Sequence, residues 1–449
     1  MVKQIKKSKK EKKEKKAVFQ SPKGMHDILP EDQLYWEKIR QVAKSNAEFY
    51  NFSRIDTTIV ENAELFERGV GAGTDIVEKE MYYLKTKGSD KLVLRPEGTA
   101  AAVRAYFEHG LSRTGNPVKL YYIGPMFRYE QPQSGRFRQH HQIGFEILGG
   151  EGDPIYDAQA IIAPYRLVEE LKIKNVSVHI NSIGCAKCRP PYQRKLESYY
   201  RKNVKKICKD CQRRLSNNPL RLLDCKEDKC QEIKSGAPIM LDYLCHSCKD
   251  HFKKVLEYLD EVKIPYFIDN YLVRGLDYYS RTVFEMFSED SSSQSDQGGV
   301  LIRKIAIASG GRYDYLAEML KIGKLPAVGG SVGIERIVEI LKAAGKVLSA
   351  KVSPKVFLIH IGDEAKKKGL ALIEDFKKSG IKVSESFGRE SLKSQLRVAD
   401  KEKAEFALIL GQKEVFEESI IIRDMQNGVQ ENVPLHKVVE EVKRKLKQI

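Results

Sequence analysis

The chain is 449 residues long, with 41% hydrophobic and 31% charged residues, which is typical of a soluble globular protein large enough for several domains. No apolar run approaches the roughly 18 residues that a membrane span requires, so a helical membrane protein is excluded. The formal net charge of +17 favours a polyanionic partner such as RNA.

Residues 1–17 form a basic tail that we expect to be disordered. Met1–Lys16 contains nine lysines and two glutamates, so it supplies a large part of the net charge. Because the tail has no apolar segment, it is not a secretory signal, and we expect a cytoplasmic protein. The tail either adds salt-sensitive affinity for RNA or only solubilises the chain.

The first folded elements are a predicted helix from Glu31 to about Tyr50 and a strand-like stretch over Phe52–Glu61. Leu92–Tyr106 then predicts a strand, a turn and a helix, with Thr99 as the expected N-cap residue. The turn brings Glu97 close to the start of that helix. A carboxylate at this position either caps the helix or binds a cationic ligand group.

The most informative stretch is Leu120–Gly149, whose alternating residues predict two strands joined by a polar loop. Arg128 ends the first strand, and Arg136 and Arg138 begin the second. Guanidinium groups held on a sheet suit bidentate contacts with phosphate oxygens. The alternative is an exposed hairpin whose charges are merely solvated.

All eight cysteines fall between residues 184 and 250. They form four close pairs, which are Cys185 and Cys188, Cys208 and Cys211, Cys225 and Cys230, and Cys245 and Cys248. Disulfides are disfavoured in a reducing compartment, whereas two such pairs fit one tetrahedral zinc site. We therefore predict a Cys-rich helical insertion with one or two structural zinc ions. Eight free thiols are the alternative, and nothing indicates a catalytic metal.

Three further stretches combine strands with glycine-containing turns. Tyr271–Phe287 (YLVRGLDYYSRTVFEMF) predicts strands at Leu272–Val273 and Thr282–Phe287 on either side of a turn, followed by a polar loop over Ser288–Gly299. Ile305–Leu316 (IAIASGGRYDYL) predicts a strand, a Gly-Gly turn and a helix. Ala327–Leu341 (AVGGSVGIERIVEIL) predicts a strand that leads into an amphipathic helix.

After a linker at 346–354, residues 355–449 alternate strands and helices, with a predicted helix over Leu392–Lys401, strands over Phe406–Leu410 and Ser419–Arg423, and a last helix over His436–Lys447. This pattern predicts a small α/β domain with a mostly parallel sheet. Arg389, Lys393, Arg397 and Lys401 recur at helical intervals and would suit a phosphate backbone. A solvated helix face is the alternative.

Five of these stretches, in this order, resemble the motifs of histidyl-tRNA synthetases, a family of class II aminoacyl-tRNA synthetases. FRYEQPQSGRFRQHHQIGFE is similar to motif 2, AVGGSVGIERIVEIL to motif 3, and LVRGLDYY to a signature specific to the family. The resemblance implies an α+β catalytic core (18–183 and 251–345) with a mixed, largely antiparallel sheet. It makes 184–250 an insertion domain and 355–449 an anticodon-binding domain.

The same resemblance implies an ATP-dependent ligase that uses Mg²⁺, forms a homodimer and does not associate with membranes. It would activate L-histidine with ATP to histidyl-adenylate and pyrophosphate and then transfer histidine to the 3′ end of tRNA(His). Arg128 and Arg274 would be the catalytic residues at the α-phosphate, with Arg136 and Arg336 toward the β- and γ-phosphates.

The resemblance also assigns the binding residues. Those expected to bind histidine are Glu97, Gly98, Thr99, Arg128, Gln142, Glu146, Arg274, Tyr278, Tyr279 and Tyr313. Gln133 and Arg138 are expected to read the extra 5′ nucleotide of tRNA(His), and Arg389 and Arg397 to contact the tRNA elsewhere.

Two positions depart from the family pattern. His140 stands where the family has a phenylalanine that stacks on adenine, and we assign it to ATP. Thr58 replaces a proline of motif 1, the dimer-forming segment. Two other functions remain open: an inactive relative that acts as a regulatory subunit or histidine sensor, and a class II synthetase for another amino acid, such as proline or threonine.

Overall fold

The structure, a computed structural model, describes residues 19–71, 73–132, 135–294, 300–345 and 355–447. It divides into two units, residues 1–347 and 348–449. The predicted tail and the predicted linker at 346–354 lie outside the described residues. Within the described ranges, no helix combines the length and the apolar composition needed to cross a membrane.

The first unit is built on a large mixed sheet. The strands of this unit are β1 (Ser53–Arg54), β2 (Val60–Asn62), β3 (Tyr82–Leu84), β4 (Leu92–Leu94), β5 (Val118–Phe127), β6 (Gln139–Leu148), β7 (Val176–Ser182), β8 (Tyr266–Ile268), β9 (Ser280–Gln294), β10 (Val300–Arg312) and β11 (Ala327–Gly333). Eight of them form one sheet in the order β1-β5-β6-β11-β10-β9-β7-β8, and β2, β4 and β3 form a small second sheet. In the large sheet only the outermost pairs, β1 with β5 and β7 with β8, are parallel. The predicted largely antiparallel core is confirmed.

Helices cover one face of this sheet. The helices of the first unit are α1 (Pro30–Phe49), α2 (Ala63–Gly69), α3 (Thr99–Glu108), α4 (Pro154–Glu170), α5 (Arg189–Lys202), α6 (Lys209–Asn217), α7 (Asp228–Lys234), α8 (His246–Glu261), α9 (Leu316–Met319) and α10 (Ile334–Ala343). Residues of α1, α4, α8 and α10 share a buried cluster with alternate residues of the strands, among them Ile143, Phe145 and Ile147 of β6. Because side chains alternate along a strand, the residues between these three point to the opposite face, which holds the candidate site.

The second unit is a smaller α/β domain. Its elements are β12 (Val356–His360), α11 (Asp363–Lys378), β13 (Val383–Glu385), α12 (Leu392–Lys401), β14 (Phe406–Leu410), α13 (Gln412–Phe416), β15 (Ser419–Asp424), β16 (Gln430–Pro434) and α14 (Val438–Leu446). The sheet order is β13-β12-β14-β15-β16. The first three strands are parallel and the last two antiparallel, so the sheet is mixed, with the predicted parallel part at one side.

Three local predictions differ from the structure. Leu272–Val273 is irregular rather than a strand, and Ser288–Gln294 continues β9 instead of forming a loop. Gly310 and Gly311 lie within β10 and not in a turn. A Cβ added to Gly310 would lie 2.2 Å from the carbonyl oxygen of Gly329 on β11. The glycines therefore allow two strands to approach closely, which the sequence pattern of a turn does not distinguish.

Candidate active site

Small residues open one face of the large sheet. Tyr122 of β5 pairs with Gly144 of β6, Gly144 with Ser331 of β11, Ser331 with Ser309 of β10, and Ser309 with Glu285 of β9. In this row three strands carry a small residue, Gly144, Ser331 or Ser309, between a tyrosine and a glutamate. We call the side of the sheet that carries these residues the open face. Its centre leaves room for a ligand.

Glycines are required where large side chains fold down onto the open face. A Cβ on Gly144 would lie 2.1 Å from Cζ of Tyr122, and one on Gly329 would lie 1.9 Å from Oε2 of Glu146. Gly98 is equally restricted, because its Cβ would lie 2.3 Å from the same Tyr122 ring. The Tyr122 ring is thus held between Gly98 and Gly144. It was not predicted as a site residue.

Glu146 is the buried carboxylate at the centre of this region, with 1% of its surface exposed. Its Oε1 accepts hydrogen bonds from the hydroxyls of Thr99 (2.7 Å) and Tyr122 (3.3 Å), and its Oε2 accepts one from Tyr313. Burial raises the pKa of Glu146 to about 7, although the hydroxyl donors oppose that shift. The carboxyl can therefore be either an acceptor or a proton-bearing group near neutral pH.

Glu97 caps helix α3 from the preceding turn. Its oxygens accept hydrogen bonds from the backbone N–H groups of Thr99 (2.6 Å) and Ala100 (2.9 Å), and the hydroxyl of Tyr278 lies 3.5 Å from Oε2. The predicted N-cap role of Thr99 is wrong, because Thr99 is already helical and its hydroxyl turns to Glu146. Burial raises the pKa of Glu97, and a cationic ligand group beside the carboxylate would stabilise its ionised form.

Three tyrosines form an aromatic wall around the two carboxylates. The ring centroids of Tyr278 and Tyr279 are 4.7 Å apart, and those of Tyr278 and Tyr313 are 5.7 Å apart. All three side chains are buried. Burial raises the pKa of Tyr279 to about 12 and also raises that of the other two, so their hydroxyls stay protonated and can both donate and accept.

Arg274 lies over the open face. Its Nη2 donates to Oγ of Ser309 at 2.7 Å, and its Nη1 lies 3.4 Å from Oε2 of Glu285. Its Nε is buried without a hydrogen-bond partner among the described residues. A half-buried guanidinium with a buried, unused donor is a natural partner for an anionic ligand group.

Arg128 and Arg336 are close enough to His140 for their charges to act on it. Nε of Arg128 donates to the carbonyl of Pro96 at 2.9 Å, which leaves its terminal nitrogens toward a carboxylate, Glu130, at 4.0 Å. Arg336 donates from Nε to the carbonyl of Gly135 at 3.1 Å. Burial, together with the charges of Arg128 and Arg336, lowers the pKa of His140 to about 3, so the imidazole is neutral.

Arg136 joins the same cationic group. Nη1 of Arg136 lies 3.7 Å from Oε2 of Glu130, and its charge, after burial, is a main cause of the lowered pKa of Arg336. The structure therefore brings together Arg128, Arg136, Arg336 and His140, the four residues assigned to ATP. Like charges at such close range are a cost that a polyanionic ligand would relieve.

Other predicted residues lie away from this centre. Arg138 stacks on the Tyr129 ring at 3.7 Å and donates to the carbonyl of Glu130 at 3.0 Å. Gln142 is half-buried at the edge of the open face, opposite Gly333 of β11. Gln133 lies outside the described residues. Arg389 and Arg397 are exposed on the second unit.

Sequence reasoning missed Tyr122, Ser309 and Glu285. Each lies on a strand at a position that alternates with buried apolar residues, and this alternation is the signal that would have placed them on the site face. It also missed the Glu335 carboxylate, which accepts from the backbone N–H of His141 at 2.9 Å and lies 2.7 Å from the ring Nδ1 of His141. That contact fixes the end of β6 against α10.

A buried ion pair supports the site from behind. Arg312 binds Asp157 of α4 through Nε at 3.0 and 3.1 Å and Asp314 through Nη1 at 3.0 Å. Burial alone would raise the pKa of Asp157, but the Arg312 charge and the His251 hydrogen bond outweigh it, and this pKa lies well below its usual value. Arg312, the sequence neighbour of Tyr313, is therefore structural.

The eight thiols assemble into two groups of four. The outer thiol group is Cys185, Cys188, Cys245 and Cys248, and the inner thiol group is Cys208, Cys211, Cys225 and Cys230. Within each group all sulfur atoms lie within 4.8 Å of one another, and all eight cysteines carry free thiols. Either group can hold one metal ion.

The chain is similar to known proteins over nearly its whole length. A family model described as histidyl-tRNA synthetase matches residues 24–337, and one described as an anticodon binding domain matches residues 355–445. A histidine–tRNA ligase of Dehalococcoides mccartyi is 45% identical over 429 residues, which cover 96% of this chain and 100% of the relative. One of Desulforamulus reducens is 42% identical over 418 residues, or 93% of this chain and 97% of the relative. The crystal structure of apo histidyl-tRNA synthetase from S. aureus is 32% identical and has a TM-score of 0.76, covering 94% of this chain and 99% of that chain.

Proposed function

This chain belongs to the histidyl-tRNA synthetase family, and on that premise we propose the following reaction and residue roles. The protein is an ATP-dependent histidine–tRNA ligase. It joins the carboxylate of L-histidine to the α-phosphate of ATP, which releases pyrophosphate, and then transfers the histidyl group to the 3′ end of tRNA(His). The observation that carries the proposal is the buried Glu146, with its three hydroxyl donors, inside an aromatic wall beside a group of arginines.

The phosphates bind at the arginines. Arg128 and Arg274 contact the α-phosphate, and Arg136 and Arg336 contact the β- and γ-phosphates. Attack by one anion on another brings negative charge onto the α-phosphoryl oxygens, and fixed guanidinium donors stabilise that charge in the transition state. The histidine carboxylate is already a nucleophile, so no general base is needed. ATP enters as its Mg²⁺ complex, whose charge offsets that of the phosphates.

His140 provides the surface on which adenine stacks. Its neutral imidazole, with the pKa lowered to about 3, adds no charge to an already cationic neighbourhood. An imidazole offers less stacking area than the phenyl ring usual in the family, so the contact with adenine is smaller and more polar in this chain.

The imidazole of histidine binds between Glu146 and the tyrosines. An imidazole presents one N–H donor and one acceptor, and Glu146 supplies the acceptor while Tyr278 or Tyr279 supplies the hydroxyl donor. Other amino acids would leave these buried polar groups unpaired. A site built to pair with a polar substrate discriminates strongly against analogues that lack the matching groups.

The α-ammonium group of histidine binds at the start of α3. Glu97 supplies the negative charge, with Thr99 and Gln142 as further polar contacts and Gly98 as the close backbone approach. Burial raises the pKa of Glu97, and a bound ammonium would reverse that shift by favouring the ionised carboxylate.

The tRNA contacts follow the same assignment. Gln133 and Arg138 read the extra 5′ nucleotide of tRNA(His), and the second unit, which matches the anticodon binding domain model, contacts the tRNA through Arg389 and Arg397. Both arginines are exposed, as a phosphate contact requires.

The enzyme is a cytoplasmic homodimer. Ile59 and Val60 of the motif 1 segment are 43% and 42% exposed, and Phe49 at the end of α1 is 79% exposed. Exposed apolar residues in the segment that the family uses for dimer formation support a protein contact there. Sedimentation of the purified protein tests this, since a monomer at micromolar concentration would exclude the dimer.

Pyrophosphate exchange across the twenty amino acids tests the proposed reaction. We expect exchange with histidine alone. Exchange with another amino acid would indicate a different specificity, and no exchange with any amino acid would indicate an inactive relative that only binds histidine.

A further inference from the structure

The two thiol groups are nested along the chain. The outer thiol group joins the first and last cysteine pairs, at the points where the insertion leaves β7 and returns through α8. The inner thiol group joins the two middle pairs. The pair spacings alone did not distinguish this arrangement from a sequential one.

The sulfur geometry fits tetrahedral metal sites. A zinc–thiolate bond of about 2.3 Å gives tetrahedral sulfur–sulfur separations of about 3.8 Å. The observed separations are 3.6 Å between Cys185 and Cys188 and 3.8 Å between Cys208 and Cys225. A disulfide would require about 2.05 Å, so these sulfurs are placed for coordination and not for oxidation.

Backbone donors point at the sulfur atoms. The N–H of Cys245 donates to Sγ of Cys188 at 3.2 Å, and that of Cys208 donates to Sγ of Cys230 at 3.2 Å. Each bond joins two different cysteine pairs within one group. Such donors stabilise thiolates, the form that binds zinc.

The inner thiol group also closes a segment that contacts a loop of the candidate active site. Between Cys211 and Cys225 lie Asn218 and Arg221, which reach the loop between Arg274 and Tyr278. Nδ2 of Asn218 donates to Oδ1 of Asp277 at 2.8 Å, and Nη1 of Arg221 donates to the carbonyl of Gly275 at 2.6 Å.

Asp75 fixes this segment from the other side. Its Oδ2 accepts hydrogen bonds from Nη2 of Arg214 at 2.8 Å and from Nη2 of Arg221 at 2.9 Å. Arg214 lies on α6, the helix that Cys208 caps and that contains Cys211. The inner thiols, α6 and the loop after Arg274 therefore form one connected unit.

We propose that the chain binds two structural zinc ions, one in each thiol group, and that the inner ion positions the loop that carries Arg274 and Tyr278. The outer ion closes the base of the insertion, and the inner ion closes the segment that holds Asn218 and Arg221. Asn218 and Arg221 are positioning residues, since they act on the substrate through the loop. The positioning part rests on the proposed function, whereas the metal sites do not.

Metal analysis of the purified full chain tests the sites, independently of any charging activity. We expect two zinc ions per chain, which a mercurial reagent releases as it titrates the thiols. Replacing zinc by Co²⁺ should give the thiolate absorption of tetrahedral sulfur sites. A chain that holds no metal, one metal or an iron–sulfur cluster would overturn the proposal.

Paired substitutions test the nesting. Cys188→Ser with Cys245→Ser should lose one ion, because both cysteines belong to the outer thiol group. Cys188→Ser with Cys208→Ser should lose both ions. Loss of both ions in the first double variant and of one ion in the second would indicate sequential sites, each built from two consecutive cysteine pairs. Lys229→Ala, at an exposed position beside Cys230, is the matched control and should keep both ions.

Arg221→Ala separates positioning from metal binding. This variant should keep two zinc ions but raise the KM for histidine in pyrophosphate exchange by about tenfold, as the loss of an orienting charged hydrogen bond predicts. The KM for ATP should change less, and Arg221→Lys should recover part of the loss. An unchanged KM for histidine, with both ions present, would refute the positioning role and leave the metal sites standing.

Discussion

Replacing Glu146 by glutamine removes one charge and one acceptor from the proposed histidine pocket without changing its shape. The donors on Oε1, from Thr99 and Tyr122, fix the amide oxygen of the new side chain on their side. Its amide nitrogen then faces Tyr313, where the wild type offers Oε2. The imidazole N–H of histidine loses an anionic acceptor.

The magnitude follows from the kind of hydrogen bond that is lost. A hydrogen bond to a charged group contributes about 1.5–3 kcal/mol, against about 0.5–1.5 kcal/mol for a neutral one. Complete loss of the charged bond corresponds to a decrease of about 10- to 150-fold, since about 1.4 kcal/mol is a factor of ten. Histidine can present its other ring nitrogen to the amide, which recovers at most the free energy of one neutral hydrogen bond. We therefore expect kcat/KM for histidine to fall by one to two orders of magnitude.

The assay is ATP–pyrophosphate exchange with histidine varied at saturating ATP. The loss should lie in the KM for histidine, with the KM for ATP nearly unchanged. Glu151→Gln, at an exposed position, is the control and should match the wild type. A change of less than threefold in the Glu146→Gln variant would show that this carboxylate does not recognise the imidazole.

The same variant should change how stability depends on pH. Burial raises the pKa of Glu146 from 4.5 to about 7, so the folded protein favours the protonated carboxyl. The stabilisation that this group gives to the folded protein is complete below pH 4.5 and declines as the pH rises. At pH 7 the free energy of unfolding is lower by about 3 kcal/mol. Glutamine does not titrate. Urea denaturation should therefore show the wild type losing stability relative to the variant between pH 4.5 and 7, and parallel curves would refute the raised pKa.

Three further predictions concern other parts of the site. Gly144→Ala should raise the KM for histidine, because its Cβ would lie 2.1 Å from Cζ of Tyr122 and displace the ring from Glu146; a kinetic match to the wild type would contradict this packing. Asp157→Asn should destabilise the protein by about 3–5 kcal/mol in urea denaturation, since it leaves the buried Arg312 charge underpaired; a loss below about 1 kcal/mol would be too small for a buried pair. His140→Phe should lower the KM for ATP by enlarging the stacking surface, and an unchanged or raised value would count against stacking.

The elements that the sequence predicts well are those whose local signals agree. Helix α12 was predicted at its observed limits, Leu392–Lys401, where the Ser391 side chain caps the helix by accepting the Ser394 N–H. Strand β14 was also predicted at its observed limits, Phe406–Leu410, as expected for a fully apolar run. Strand β16 was missed, because Gln430–Pro434 is an edge strand of mostly polar residues.

The site residues were predicted where a motif carried them and missed where only the fold brings them together. Glu97 and Glu146 are far apart in sequence but share neighbours in the pocket, and the resemblance supplied both. Tyr122 and Ser309 have no motif of their own. They reach the pocket through the pairing of four strands, and strand register is a long-range property that local patterns do not contain.

Arg312 and Tyr313 are sequence neighbours whose side chains leave the chain on opposite sides, one toward Asp157 and the other toward Glu146. Deleting or inserting a single residue just before them would reverse the directions of both side chains, because a shift by one position turns each later side chain of the strand to the other face. The Arg312 guanidinium would then point into the proposed histidine pocket, and the Tyr313 phenol would point toward the helices, where it cannot replace the ion pair with Asp157. An insertion or deletion at this point should therefore abolish activity even where single substitutions are tolerated.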